Sequence, residues 1–524
     1  MRAMSYNRSK LCRKNVRSDL FSARKTGLVV TQDSAVHPRK TITALATAMT
    51  CAFACVWISP TFAAQTGSAA NPSVAADEIN PVDLPEADLA IQAAPADQWT
   101  GFWTRQNMLG DIGGLRSALA GYGVTLALTE TSEYLNNAKG GLNRGGDYDG
   151  LTTMTLKLDT LKLFGLAGGT LNISAVNIHG RNLSADKLGT LQTASGIEAD
   201  TGTRLWEAWY QQKFLDETLD VRAGQQSIDQ EFMVSQYAST FVNTMFGWPA
   251  VPSYDMPAGG PAYPLSALGI RVRAHPTDAI SVLAGVYDGN PAGTNDGDPQ
   301  RQNAHGTNFD LHTGALYIAE LQYGVNQASL GRTETANAGL PGTYKLGAWY
   351  NTQNFADQRF GTDGLSLADP SSNGNPAEHS GNYSVYAVAD QMIWRLAPDS
   401  MRSVGVFARV MGAPGDRNLI SFSANAGVTL TSPFEGRDTD TASLGMGYAK
   451  VGSAAAGLDL DSGNRVRNGE TYVEATYQYQ LTPWLQLQPD IQYTLNPGAG
   501  QSPNDPTLRL GDTLVWGLRT NITL

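Results

Sequence analysis

Glu207 and Trp209 stand two residues apart, as do Arg271 and Arg273, and Arg222 lies between the two pairs. A spacing of two puts both members of a pair on one face of a β-strand. Each arginine offers a planar fork of five donors, and a carboxylate accepts from neighbouring hydroxyls. An indole supplies a flat apolar surface. Together such groups can replace the water shell of a neutral polyol and cover its C–H face. Several weak contacts in series would let the solute move on. Asp229 and Glu231 belong to the same candidate set and sit in the long connection 228–267, which also holds Phe246, Trp248 and Tyr254. Lys345, Trp349, Arg409, Glu474 and Asp490 are further candidates on the same predicted face. The other role open to such charges is to hold loops and set the field inside a barrel. Trp209 and Trp349 could equally belong to an aromatic belt at a membrane interface. Trp206, Tyr210, Tyr477, Tyr479 and Trp516 are expected in such a belt.

Other chemistries find no residues. All three cysteines, Cys12, Cys51 and Cys55, lie before residue 64, so the rest of the chain has neither a disulfide scaffold nor a thiol nucleophile. His179, His275, His305, His312 and His379 are scattered, with no metal-ligand spacing. Asn295-Asp296-Gly297-Asp298 lacks the closing Glu of a calcium loop and reads as a surface loop. There is no phosphate-cradling glycine loop, and no Ser-His-Asp set stands out. No catalytic residue, metal or cofactor is expected.

The elements that must carry the candidates alternate in period two. Pairing 203–214 with 218–227 about the turn Leu215-Asp216-Glu217 sets Gln211 opposite Arg222 and Trp209 opposite Gly224. One face then holds Glu207, Trp209, Gln211, Arg222 and Gln226, and the other Trp206, Ala208, Tyr210, Val221 and Ala223. Sixteen such runs are predicted: 123–136, 151–163, 168–178, 203–214, 218–227, 268–275, 279–287, 313–323, 343–353, 383–396, 402–411, 420–430, 440–450, 470–480, 484–495 and 512–524. Short and long connections mostly alternate, although 324–342 should be short and is not. An even number of strands, short turns at one end and long loops at the other describe a transmembrane barrel with a wet lumen. Connection 228–267 is long enough to fold inward and narrow the pore. Residues 113–120 form a short helix ahead of the first strand, with Gly121 as its stop.

Composition agrees. Charged residues make up 16 % of the 524, against about 25 % in ordinary soluble proteins, yet no run reaches the roughly 20 apolar residues of a spanning helix. Residues 1–64 hold ten basic residues, two acidic ones, an apolar run from Ala44 to Ile58 and a small-residue stretch ending Ala63-Ala64. This is the pattern of a secretory signal. Ala, Pro, Asp and Glu dominate from Gln65 to about Gln98, so 65–102 is expected to be a disordered linker, and 103–524 the barrel. Without the signal, 27 basic face 46 acidic residues, a net charge of −19. Nucleic acid is an improbable partner for so acidic a chain.

Several segments resemble, in order, the carbohydrate-selective outer-membrane porins of the OprB type. They are Leu109-Gly110-Asp111-Ile112-Gly113-Gly114-Leu115-Arg116, Leu205-Trp206-Glu207-Ala208-Trp209-Tyr210-Gln211-Gln212, Arg222-Ala223-Gly224 with Glu231-Phe232, Tyr263-Pro264-Leu265-Ser266-Ala267-Leu268-Gly269, Gly285-Val286-Tyr287-Asp288-Gly289-Asn290-Pro291, and Lys345-Leu346-Gly347-Ala348-Trp349-Tyr350. The family form has an aromatic at Ile112, and Leu524 replaces the usual terminal aromatic. The resemblance implies an all-β, 16-stranded antiparallel transmembrane β-barrel with a short N-terminal periplasmic helix, in the outer membrane of a Gram-negative bacterium. It also implies passive or facilitated diffusion of glucose and similar small sugars. The partners implied are those sugars, outer-membrane lipid and the barrel-assembly machinery, with a homo-oligomer left open. The alternatives are a general or ion-preferring porin without sugar selectivity, an outer-membrane barrel enzyme, and a soluble β-rich binding module.

Overall fold

The protein is described by a computed structural model covering residues 101–293, 297–326, 339–398 and 400–524. The expected signal, and the expected linker up to residue 100, lie outside the described residues.

Sixteen strands close into one antiparallel barrel, each bonded to its neighbours in sequence and β1 to β16. They are β1 Val124–Lys139, β2 Gly145–Asp159, β3 Gly169–Gly180, β4 Gly202–Phe214, β5 Leu219–Gln226, β6 Ala267–Thr277, β7 Ile280–Asp288 and β8 Ala315–Val325. Then follow β9 Gly342–Gly361, β10 Pro376–Arg395, β11 Ser403–Gly412, β12 Ile420–Thr431, β13 Thr441–Val451, β14 Gly469–Thr482, β15 Leu485–Leu495 and β16 Thr513–Thr523. The hairpin register is the predicted one, with Gln211 opposite Arg222 and Trp209 opposite Gly224.

Three features depart from the sequence reading for identifiable physical reasons. β2 stops at Asp159 rather than 163, because the Asp159 carboxylate accepts from the Leu161 amide (2.9 Å) and caps a helical turn over Thr160–Phe164. β9 and β10 both run 20 residues. Their added pairs, such as Phe355 opposite His379, are rich in Asn, Asp, Gln and Ser. A hairpin that rises clear of lipid needs no apolar face, so period two fades there while the ladder continues. Third, β4 carries one unpaired residue: Ser174 faces Glu207, but the next residue, Ala175, faces Leu205. The bulge shifts the side-chain phase. Trp206, expected in the lipid belt, is instead turned inside, 2 % exposed, and packs with Leu151, Val176, Ile178 and Ile197.

The outer face is apolar. Tyr317, Tyr350 and Tyr383 are register neighbours across β8, β9 and β10, and Tyr323 faces Tyr344 further along. All five rings are exposed. The two tiers are separated by the run from 317 to 323, roughly 20 Å along a strand, with Leu321 and Leu346 between them. This is the arrangement of two interfacial girdles around an apolar band. Trp516 is likewise exposed on β16, edge-on to Tyr134. Tyr477 and Tyr479 sit beside the turn between β12 and β13, where Tyr477 donates to Asp440 (2.7 Å) and Arg437 lies 3.9 Å over the Tyr479 ring.

The closing seam is fastened twice. Glu133 and Arg519 are directly opposed across β1 and β16 and form a buried ion pair at 2.5 Å. The N-terminal segment adds a main-chain bond from Met108 to Thr523 (2.7 Å), and Leu524 donates to the Leu128 carbonyl of β1 (2.8 Å). The helix ahead of β1, α1 (Leu115–Gly121), follows Ile112, Gly113 and Gly114, all at positive φ. Asp111 reaches over it to accept from the Ser117 amide and hydroxyl, both at 2.7 Å, and Arg116 donates to the Leu524 carbonyl.

Candidate functional site

The lumen is shaped by the connection between β5 and β6, which folds inward as its length suggested. Its base is pinched by Asp229, which accepts from the Ser227 hydroxyl (2.6 Å) and the Tyr263 amide (3.0 Å). Burial pushes the Asp229 carboxyl above its ordinary range, while those donors act against the rise. The loop then crosses to the far wall and is tied there strand by strand. Glu320 on β8 accepts from the Met233 amide (2.8 Å), and Asp390 on β10 from the Ser235 hydroxyl (2.6 Å). Glu474 on β14 accepts from the Val242 and Asn243 amides (2.6 and 3.0 Å). Arg409 on β11 donates to the carbonyls of Met233, Met245, Phe246 and Gly247 at 2.7–3.1 Å.

Under these ties lies a dry core. Phe232, Met233, Phe241, Met245, Phe246, Val251 and Met256 of the loop bury against Leu283, Ile318, Trp349, Tyr386, Phe407 and Tyr472 of the wall. Gly445 makes room for it, since a Cβ there would stand 2.6 Å from the Phe246 ring. The inner face of β7 to β14 is therefore not wet throughout, as period two alone suggested; where the loop lies, it is a packed interior.

A second connection, 181–201, also folds inward, which the sequence reading did not anticipate. Its Leu191 and Gln192 amides donate to Glu470 (2.8 and 2.7 Å), its Ser195 hydroxyl to Glu133 (3.0 Å), and its Gly196 amide to the Val242 carbonyl of the first loop (2.9 Å). The two loops meet inside the barrel.

The first seven candidates and Trp349 sort by position. Seven share one region of the wall, on β4, β5, β6 and the base of the first loop. Glu231 is its hub: its carboxylate lies 2.5 Å from Arg222, bonds Arg271 through both oxygens and is 3.9 Å from Arg273. Burial alone would raise the Glu231 pKa, but the three guanidiniums outweigh it and hold the carboxyl at about 2. Asp220, which the sequence reading missed, is the second anion on Arg271. Arg222 donates to Gln211 through two nitrogens (3.0 and 2.9 Å) and stacks 3.9 Å from the centre of the Trp209 ring. The Trp209 indole donates to Glu207 (3.2 Å), which also accepts from the Ser227 amide (3.0 Å). Gly224 allows Trp209 this position: it has φ +135, and a Cβ would meet the Ala208 carbonyl at 2.3 Å. Gly224→Val is therefore expected to lower stability by roughly 2–3 kcal/mol, read as an earlier midpoint in denaturant unfolding.

Trp349 is the one that lies elsewhere. It is 2 % exposed under the inward loop and belongs to neither a belt nor the arginine cluster. Among the other charges, Arg409 and Glu474 are taken up by loop anchoring, and Asp490 bonds Gln492 (2.9 Å). The missed anchors Glu133, Glu320, Asp390 and Glu470 could have been read from the sequence, as carboxylates at inward positions of apolar-alternating strands. Among the described residues no group of three or more His, Cys, Asp or Glu could hold a metal ion.

Comparison with known proteins agrees with this barrel. Residues 143–524 match the family described as "Carbohydrate-selective porin, OprB family". The chain is 26 % identical over 434 residues to Porin B of Pseudomonas aeruginosa, covering 78 % of this chain and 90 % of that one. It is 24 % identical to a putative porin, QuiX, of Acinetobacter baylyi, over 77 % of this chain and 92 % of the other. Among solved structures, a high-pH structure of Pseudomonas putida OprB superposes with a TM-score of 0.70 at 23 % identity, over 80 % of this chain and 99 % of that one; at that identity the likeness speaks for the fold. A sixteen-stranded barrel narrowed by an inward loop, with an arginine-rich wall at the narrowing and a family match over most of its length, places this chain in the carbohydrate-selective porin family, OprB type, of the Gram-negative outer membrane.

Proposed function

We propose that the channel passes glucose and similar small neutral sugars by passive or facilitated diffusion, and that the wall formed by β4, β5 and β6 contacts them. The observation that carries this reading is the pairing of a flat indole with a fixed row of guanidiniums and amides. Arg271 is fully buried and acts as a strut. Arg273 and Gln211 are half-buried, while Trp209 and Arg222 keep 8 % and 7 % of their surface exposed. These four offer donors, an acceptor and an apolar plane, which is what a sugar ring needs in exchange for its water. Their charge is largely offset by Glu231, Asp220 and Glu207, which suits a neutral solute better than an ion. The same chain is read as held in lipid by its tyrosine girdles, and as reaching the membrane through the barrel-assembly machinery.

Proteoliposome swelling tests this. Swelling in glucose should outpace swelling in a neutral non-sugar solute of similar size; equal rates would point to a general pore. Trp209→Ala should remove roughly 1 kcal/mol of stacking, so the half-saturating glucose concentration should rise about five-fold, with little change in ion conductance.

A further inference from the structure

The barrel has a polar recess away from the arginine-rich wall. It is a cleft of about 300 Å³ lined by Arg181, Asp186, Asp200, Arg204, Gln300 and Arg301. These residues come from the connection between β3 and β4, the start of β4, and the connection between β7 and β8. Both connections are long, which puts the cleft at the extracellular mouth.

Its floor is built and its rim is open. Arg204 is 2 % exposed and donates to the Asp200 and Ala304 carbonyls (both 3.3 Å) and to the Gln300 side-chain oxygen (3.2 Å). Gln300 also accepts from the Asp200 amide (2.7 Å). The two connections are thus locked together behind the cleft. In front, the Arg301 side chain is 71 % exposed, with Asp200 at 3.5 Å and Asp298 at 3.7 Å, and Arg181 and Asp186 are exposed as well. Donors and acceptors of both signs therefore face one small volume.

The bulge in β4 links this cleft to the deeper wall. Arg204 and Glu207 are an odd number apart and in a regular strand would point to opposite faces. The unpaired residue between Leu205 and Glu207 restores the phase, so Arg204 and the Glu207–Trp209 pair all face inward. Three residues of strand span roughly 10 Å, a short step for a small solute.

We infer that this cleft is a mouth subsite for a single neutral sugar ring, which captures sugar from outside and passes it down β4 to the Trp209–Arg222 wall; the inference rests on the sugar-porin reading above. Its volume lies at the lower end of ligand pockets, about 300–1,000 Å³, which suits one ring and not a long oligosaccharide. Among the described residues no aromatic ring lines it. Contacts there are polar and exchange with water, so capture is weak and release fast. The indole platform comes second, so a ring released from the mouth has its next contact within reach.

The test is uptake of labelled glucose by cells whose outer membrane carries the full chain as the main sugar route. Arg181→Ala with Arg301→Ala changes two exposed side chains, and exposed ion pairs such as those of Arg301 contribute little to folding. Uptake far below saturation should fall about five-fold, maximal uptake should stay within a factor of two, and glycerol permeation should not change. A variant indistinguishable from the parent at low glucose, or one that loses glucose and glycerol permeation alike, would overturn the subsite while leaving the sugar porin standing. A parent whose glucose uptake never saturates would instead overturn the sugar-selective reading itself, and the subsite with it.

Discussion

Glu231→Gln should be the most damaging single change at the narrowing. It leaves Arg222, Arg271 and Arg273 in a buried site with Asp220 as the nearest remaining anion on Arg271. Breaking a buried pair by removing one partner costs about 3–5 kcal/mol, because the other charge stays desolvated and uncompensated. The expected results are an earlier midpoint in denaturant unfolding and, for the channels that do form, a shift of reversal potential toward anions in a salt gradient. A wild-type midpoint with unchanged ion preference would contradict the role given to this carboxylate. The same group sets a pH dependence. Its folded pKa, about 2, lies below the ordinary value of 4.5. Its contribution is therefore complete above pH 4.5 and is lost as the pH falls toward 2. The wild-type chain should lose stability across that window, and Glu231→Gln should lose less.

Arg409→Leu should open the pore. Four loop carbonyls converge on this one guanidinium. Three of them belong to the end of the helical turn Thr244–Gly247, where carbonyls have no partner within the helix. Leucine keeps apolar volume but leaves three of the four without a donor, since the Met245 carbonyl still accepts from the Asn425 side chain (2.7 Å), at about 1–3 kcal/mol each if they stay buried. The loop can avoid that cost by lifting from β11 into water, at the expense of its apolar contacts. Single-channel recordings should then show conductance about two-fold higher, more open-channel noise and weaker discrimination between glucose and non-sugar solutes. Unchanged conductance and noise would mean that the apolar packing holds the loop without Arg409.

The two changes act on different parts of one design. The strands are fixed by an alternation that every lipid-facing position must obey, and for that reason the sequence makes them readable. All sixteen runs were placed, and the hairpin carrying Trp209 and Arg222 was placed in its true register. The pattern fades where lipid no longer acts. The polar rise of β9 and β10 and the capped turn after Asp159 follow local rules instead. It reverses at Trp206, because a bulge leaves no mark in a period-two pattern until the phase beyond it is checked; the inward need of Glu207 and Trp209 together with Arg204 is that mark.

The site was legible in part for a related reason. Inward polar residues can be listed from alternation, but what each one meets depends on the path of a loop. Glu231 falls with the right arginines because it follows β5 closely in sequence and β5 pairs with β6. Arg409 and Glu474 were named as pore-facing without the loop that occupies them, since that loop arrives from over 160 residues away in sequence. Alternation allows Trp349 to be a platform or a belt residue, whereas it lies beneath that same loop. The connection 181–201 carries no aromatic or apolar run to announce its inward course; its anchors are main-chain amides that meet Glu470.

The most direct test of the account is the single-channel conductance of the folded chain in a planar bilayer, recorded as glucose and then a non-sugar neutral solute of similar size are added. The account predicts discrete steps that glucose reduces in a saturable manner and the other solute reduces much less. Steps insensitive to glucose would leave the barrel and its loop in place but contradict a sugar site in the lumen.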